Sequence, residues 1–120
     1  MAKKILVVDD ESDLLEVLLT RLRLTGYEVF GGTDGREALE LARRIAPDLI
    51  ILDIYLPVMN GDEVAKILKN DEKMKHIPII LMSATTVSID DRLETSGADG
   101  YITKTFNPEE FIDMVKRMLV

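Results

Sequence analysis

The chain has 120 residues, no cysteine and a net charge of -7, with a pI near 4.7, a length that suits one folded domain over residues 1–120. The acidic balance argues against direct nucleic-acid binding, which needs a basic face, and the missing cysteines exclude disulfides and thiolate zinc sites. The apolar run Ile5 to Val8 is too short for a signal-peptide core or a membrane span, so a cytoplasmic protein without a membrane partner is expected.

Along the chain, short runs rich in leucine and β-branched residues alternate with longer amphipathic ones, the pattern of a parallel sheet with helical crossovers. The first strand is expected over Lys4 to Val8, and Asp9 and Asp10 follow it directly. A helix from about Asp13 to Thr25 would carry Leu14, Leu18 and Leu22 on one stripe and stop at Gly26. After a second strand over Tyr27 to Gly31, Asp34 and Glu37 have the cap and third-position spacing for a helix through about Arg44. Ala38, Leu41, Ala42 and Ile45 form its inner face, and Pro47 ends it.

The third strand, Leu49 to Asp53, again ends on an acid, just before a loop punctuated by Pro57, Asn60 and Gly61. A third helix near Asp62 to Asn70 offers Val64, Ile67 and Leu68. The fourth strand is Ile79 to Ser83. The fourth helix, about Val87 to Thr95, has the thinnest apolar face, only Val87, Ile89 and Leu93. Gly100 to Thr103 is the fifth strand, with Lys104 after it. In the last helix Asn107 is the cap, Pro108 the first turn and Glu110 the third position, and Phe111, Met114, Val115, Met118 and Leu119 share a face. Its methionines read as core.

Strands covered on both faces are continuously apolar, as in "KILVV", "LIILD" and "PIILMS", whereas Glu28 and Thr103 mark edge strands. With right-handed crossovers the expected fold is α/β, a doubly wound five-stranded parallel sheet of order 2-1-3-4-5 with helices on both faces. Strands one and three are then neighbours about 4.8 Å apart, and their terminal carboxylates share the crevice where the strand order reverses.

Singly, an acid at a strand end is as readily a helix cap. Asp9, Asp10 and Asp53 together are a carboxylate cluster, and oxygen donors packed so closely suit a hard cation, Mg²⁺ above all. Ser83 and Lys104 close the neighbouring strands on the same rim. A metal beside a carboxylate, with a hydroxyl and an ammonium to hold oxygens, is the inventory for phosphoryl transfer onto that carboxylate, here Asp53. His76, the only histidine, lies in a connection and reads as an exposed bystander. Nucleotide binding is not indicated, since no Gly-rich phosphate loop is present.

These residues resemble the receiver domains of bacterial two-component response regulators of the chemotaxis-regulator type. The likeness covers essentially the whole chain: "VVDDE" for the acid pair, "LDIYLPVMNG" for the acceptor loop, "LMSA" for the switch hydroxyl and "GYITK" for the lysine. It implies a flavodoxin-like fold and a switch, rather than an enzyme, in which Asp53 accepts a phosphoryl group from a sensor histidine kinase or a phosphotransfer protein. It further implies that Asp9, Asp10, Asp53 and the backbone carbonyl of Tyr55 hold Mg²⁺, and that Ser83 and Lys104 bind the phosphoryl oxygens. Tyr101 would be the aromatic that follows the Ser83 hydroxyl, and Tyr55 and Thr85 the variable positions flanking the site. Strand four through helix five would be the surface for a downstream protein and for any homodimer.

The family usually has proline after the lysine, with a cis peptide, where this chain has Thr105. A cis bond before a non-proline residue costs about 3 kcal/mol, so the sequence leaves the isomer at Lys104–Thr105, and with it the aim of the lysine, open. Ser83 lacks the methyl of the threonine also common there. The Tyr55 ring is expected to shield an acyl phosphate from water and slow its loss. Two other readings stay open: a nonphosphorylated receiver-like binding module, favoured by Thr105, and a magnesium phosphohydrolase with an aspartyl nucleophile. Such hydrolases place the nucleophile after the first strand, generally with a second acid two positions on, where this chain has adjacent Asp9 and Asp10.

Overall fold

The computed structural model describes residues 2–105 and 107–120. Among these, five parallel strands form one sheet: β1 (Lys4–Val8), β2 (Glu28–Gly32), β3 (Leu49–Asp53), β4 (Ile79–Ser83) and β5 (Gly100–Thr103). Their order is β2-β1-β3-β4-β5, as the crossover argument requires. The helices are α1 (Ser12–Leu24), α2 (Gly35–Ile45), α3 (Gly61–Lys69), α4 (Ile89–Ser96) and α5 (Pro108–Met118). None of the helices is long and apolar enough to cross a membrane, within the described residues.

Alternation along the three central strands builds two cores. Leu6, Val8, Ile50, Leu52, Ile79 and Leu81 point to one face and pack with Ala38, Ala42, Val64, Ala65 and Leu68 of α2 and α3, and with Ile89 of α4. Ile5, Val7, Leu49, Ile51, Ile80 and Met82 point to the other, against Leu15, Leu18 and Leu22 of α1 and Phe111, Met114 and Val115 of α5. Each buried aliphatic side chain contributes about 1.5–3 kcal/mol relative to exposure. Sheet order is therefore held from both sides.

Several local expectations shift. β2 begins at Glu28 because the Tyr27 N–H is taken by the Leu22 carbonyl at the exit of α1, and the Glu28 N–H is the first to reach across, to the Lys3 carbonyl just before β1. The inner stripe of α1 uses Leu15 rather than Leu14, which is only partly buried. In α2 the buried side chains are Ala38, Leu39 and Ala42, with Leu41 and Ile45 at the margin. In α3 Ala65 turns inward and Ile67 is left 37% exposed. α4 starts two residues late, since Ser88 adopts a left-handed φ of 60° and strands Val87 in solvent.

The expected caps form. The Glu37 N–H donates to Asp34 Oδ1 at 2.8 Å, and the Glu110 N–H to Asn107 Oδ1 at 2.8 Å. The reach of Glu37 back to the backbone goes one residue further than the usual box, to the Thr33 N–H at 2.7 Å.

Candidate functional site

Register sets the site before any side chain is considered. β1 pairs with β3 so that Val8 faces Leu52, and the next residues outward are Asp9 and Asp53. Both continue the face-phase of Ile5, Val7, Leu49 and Ile51. β4 pairs with β5 so that Ser83 faces Thr103, and the Lys104 N–H prolongs that ladder by donating to the Ser83 carbonyl at 2.8 Å. All four residues thus lie at the carboxyl ends of their strands, where open α/β sheets bind ligands.

One oxygen each from Asp9, Asp10 and Asp53 lies within 4.8 Å of the others. Asp9 and Asp53 are buried and Asp10 is exposed at the rim. Asp9 Oδ1 accepts the Glu11 N–H at 2.8 Å, which fixes the turn into α1. Asp9 Oδ2 is buried, stands 3.1 Å from Lys104 Nζ and receives no directed hydrogen bond from the described residues. An orphaned buried carboxylate oxygen within a cluster of oxygen donors fits a hard divalent cation.

Lys104 ties the cluster together. Its Nζ donates to Asp53 Oδ2 at 2.7 Å, to Glu11 Oε1 at 2.7 Å and to Asp9 Oδ1 at 3.3 Å. No cis peptide occurs among the described residues, so the Lys104–Thr105 bond is trans, and the lysine reaches the acids all the same. Burial works against its charge, but the hydrogen bonds it donates to Asp53, Glu11 and Asp9 outweigh that and hold its pKa above the ordinary lysine value.

Burial disfavours the charge on Asp53 as well, which for an acid raises the pKa, and it is the largest influence there. The Lys104 hydrogen bond and charge pull the carboxyl down, the Asp9 charge pushes it up, and the Tyr55 N–H, 3.3 Å from Oδ1, lowers it slightly. The outcome is a pKa raised to about 6. At neutral pH Asp53 is ionised yet poorly solvated, a state suited to an oxygen nucleophile.

The loop after Asp53 is closed by Gly61, whose N–H donates to the Ile54 carbonyl at 2.7 Å. A Cβ at Gly61 would collide with the Asp53 carbonyl oxygen, so only glycine lets α3 begin this close to the acid.

The lysine ammonium bonds Asp9, Glu11 and Asp53, and the side chains of the other expected residues are held elsewhere or face solvent. Ser83 is buried at the end of β4, and its Oγ accepts the Thr85 N–H at 3.2 Å rather than bonding Asp53 or Lys104. Thr85 is half-buried, and Tyr101 is 41% exposed on β5. Tyr55 is 52% exposed, with its hydroxyl accepting a hydrogen bond from Arg92 of α4 at 3.3 Å. His76 is exposed in the connection before β4. Glu11 and Arg92 escaped the sequence reading. The position of Glu11 directly after the acid pair was the one available signal, whereas Arg92 lies 37 residues from its tyrosine and left none.

A family model described as the response regulator receiver domain matches residues 5–116. Over 120 residues the chain is 38% identical to the polar-differentiation response regulator DivK of Brucella ovis, covering 99% of this chain and 98% of that one. Its structure is similar to that of the chemotaxis response regulator CheY4 of Vibrio cholerae, with a TM-score of 0.92 and 34% identity over 99% of this chain and 100% of that one. A second similar structure is the receiver domain of a sensor histidine kinase from Pseudomonas aeruginosa, with a magnesium ion coordinated in its active site cleft. There the TM-score is 0.89 and the identity 28%, over 99% of this chain and 98% of that one.

Proposed function

This chain belongs to the response regulator receiver family, and from that premise we propose that it is a phosphorylation-activated signalling switch whose acceptor is Asp53. The donor is a phosphohistidine on a sensor histidine kinase or a phosphotransfer protein. One Asp53 carboxylate oxygen attacks phosphorus, the P–N bond of the donor breaks, and the histidine nitrogen leaves with the electron pair. The observation that carries this reading is the buried, ionisable Asp53 held 2.7 Å from Lys104 inside an acid cluster.

Asp9, Asp10, Asp53 and the Tyr55 carbonyl would hold Mg²⁺, which when bound neutralises the clustered charge and orients the incoming phosphoryl oxygens. The orphaned Asp9 Oδ2 supports that assignment. Lys104 and Ser83 bind the phosphoryl oxygens once the acyl phosphate exists, Ser83 through its O–H, which is a donor distinct from the lone pair that accepts the Thr85 N–H. Contacts made better in the phosphorylated form are what shift the population. Tyr101 on β5 and the face from β4 to α5 carry the change to a downstream protein or a second copy. The protein acts in the cytoplasm, where its donors are, and assists its own phosphorylation and dephosphorylation without turning over other substrates. We read residues 1–120 as one receiver domain.

The test is incubation with acetyl phosphate and Mg²⁺ followed by intact mass measurement. A single phosphoryl adduct on the wild type and none on Asp53→Asn is expected. Steady hydrolysis of small phosphate esters would instead make the protein a phosphohydrolase, and no adduct at all would make it a binding module.

A further inference from the structure

Arg92 belongs to α4, yet its guanidinium serves the loop that follows Asp53. Nη1 lies 2.9 Å from Asp62 Oδ2 in the first turn of α3, and Nη2 donates to the Tyr55 hydroxyl at 3.3 Å. Its central carbon stands 5.0 Å from the centroid of the Tyr55 ring, within the range of a cation–π contact.

The anchor of this arrangement is partly desolvated. The side chains of Arg92 and Asp62 are 26% and 18% exposed, and Asp62 Oδ1 is buried without a hydrogen bond among the described residues. Removing the cation from such a pair leaves an uncompensated carboxylate, so the guanidinium is firmly held. The other end reaches the acceptor. The Tyr55 N–H donates to Asp53 Oδ1, so the residue whose ring Arg92 fixes is also the one whose backbone touches the acceptor carboxylate. A half-exposed tyrosine would otherwise exchange rotamers on the ps–ns scale.

We propose that Arg92 is a positioning residue of the acceptor loop: acting through Tyr55, it holds an aromatic ring beside Asp53 and so limits how readily water reaches an acyl phosphate formed there. This rests on Asp53 being the phosphoacceptor. Lysine at this position satisfies Asp62 as a point charge but cannot at once donate to the Tyr55 hydroxyl and lie over the ring. Arg92→Lys therefore separates ring positioning from the packing of α4 on α3.

The experiment loads the protein with acetyl phosphate and Mg²⁺, removes the donor and follows loss of the adduct by intact mass. Wild type, Arg92→Lys, Arg92→Ala, Tyr55→Leu and the Arg92→Lys/Tyr55→Leu double variant are compared, with melting temperatures taken alongside. Arg92→Lys is expected to shorten the adduct half-life about two- to fivefold at a near-wild-type melting temperature, and to add nothing in the Tyr55→Leu background, where the positioned ring is gone. Arg92→Ala should shorten it equally and melt lower. A wild-type half-life in both arginine variants, or the same fold loss with and without the Tyr55 ring, overturns the proposal. An adduct that never forms on the wild type, or forms equally on Asp53→Asn, removes the acceptor assignment and the proposal with it, and the wild-type and Asp53→Asn controls tell that failure from the failure of Arg92 alone.

Discussion

Lys104 Nζ donates to Asp53 Oδ2 at 2.7 Å across 51 residues of chain, and it does so while also holding Asp9 and Glu11. One ammonium thus sits among three carboxylates. The pairing keeps Asp53 ionisable in a place where burial would otherwise protonate it, and the compromise has measurable consequences for stability, metal binding and backbone fit.

The first concerns pH. Because the folded chain holds a proton on Asp53 up to about pH 6, against 3.8 without the fold, the folded state binds more protons across that window. Stability from this group therefore falls as pH rises from about 4 to 6, and the ionised carboxylate opposes folding at neutral pH. Asp53→Asn should be more stable than wild type by about 1–3 kcal/mol at pH 7.5, with the gain disappearing by about pH 4. Urea unfolding midpoints across pH 4 to 8 measure it, and a gain that does not change with pH would rule out the buried carboxylate as its source.

A cation at the acid cluster should stabilise the fold, since it binds the assembled site and not the unfolded chain. At a Mg²⁺ concentration ten times its Kd the gain is about 1.4 kcal/mol, visible as a rise in melting temperature that EDTA reverses. Asp9→Asn replaces the buried, hydrogen-bond-poor oxygen with an amide and should lose most of that rise. An undiminished Mg²⁺ response in the variant would place the metal elsewhere.

Gly61→Ala tests the backbone fit. Its new methyl meets the Asp53 carbonyl and the flank of Leu52, so β3 and the start of α3 must separate. We expect a loss of about 2 kcal/mol or more, together with a lower yield of phosphoryl adduct at equal fraction folded. Denaturant curves and intact mass read the two effects separately.

Val58 offers the opposite case. It is a β-branched residue at φ 72°, and it is 77% exposed, so the strain has no packing to offset it. Val58→Asn, which tolerates the left-handed region, should stabilise the chain by about 1 kcal/mol in thermal unfolding. A destabilised variant would show that the valine side chain makes contacts of its own.

Much of this architecture is legible in the sequence, and the reasons are local. Three continuous apolar strands, polar edge strands and the caps at Asp34 and Asn107 each leave a short-range signature, and strand order then brings Asp9 beside Asp53. Helix phase was less legible. On α1 the choice between Leu14 and Leu15, and on α3 between Ile67 and Ala65, depends on how each helix rolls on the sheet, which hydrophobicity alone does not decide. The contacts of Arg92 across the fold left no trace: it looks like any charged residue on a polar helix until α4 is docked against the loop carrying Tyr55. Val58 likewise gave no warning, because valine is among the residues least suited to its backbone conformation.

The most direct measurement traps the acyl phosphate where it forms. Protein loaded with acetyl phosphate and Mg²⁺ is reduced with borohydride, which converts a phosphorylated aspartate to homoserine, and its peptides are mapped by mass. Homoserine at position 53 alone is the predicted result; homoserine at Asp9 or Asp10, or none on protein shown to carry the label, would contradict the assignment of Asp53.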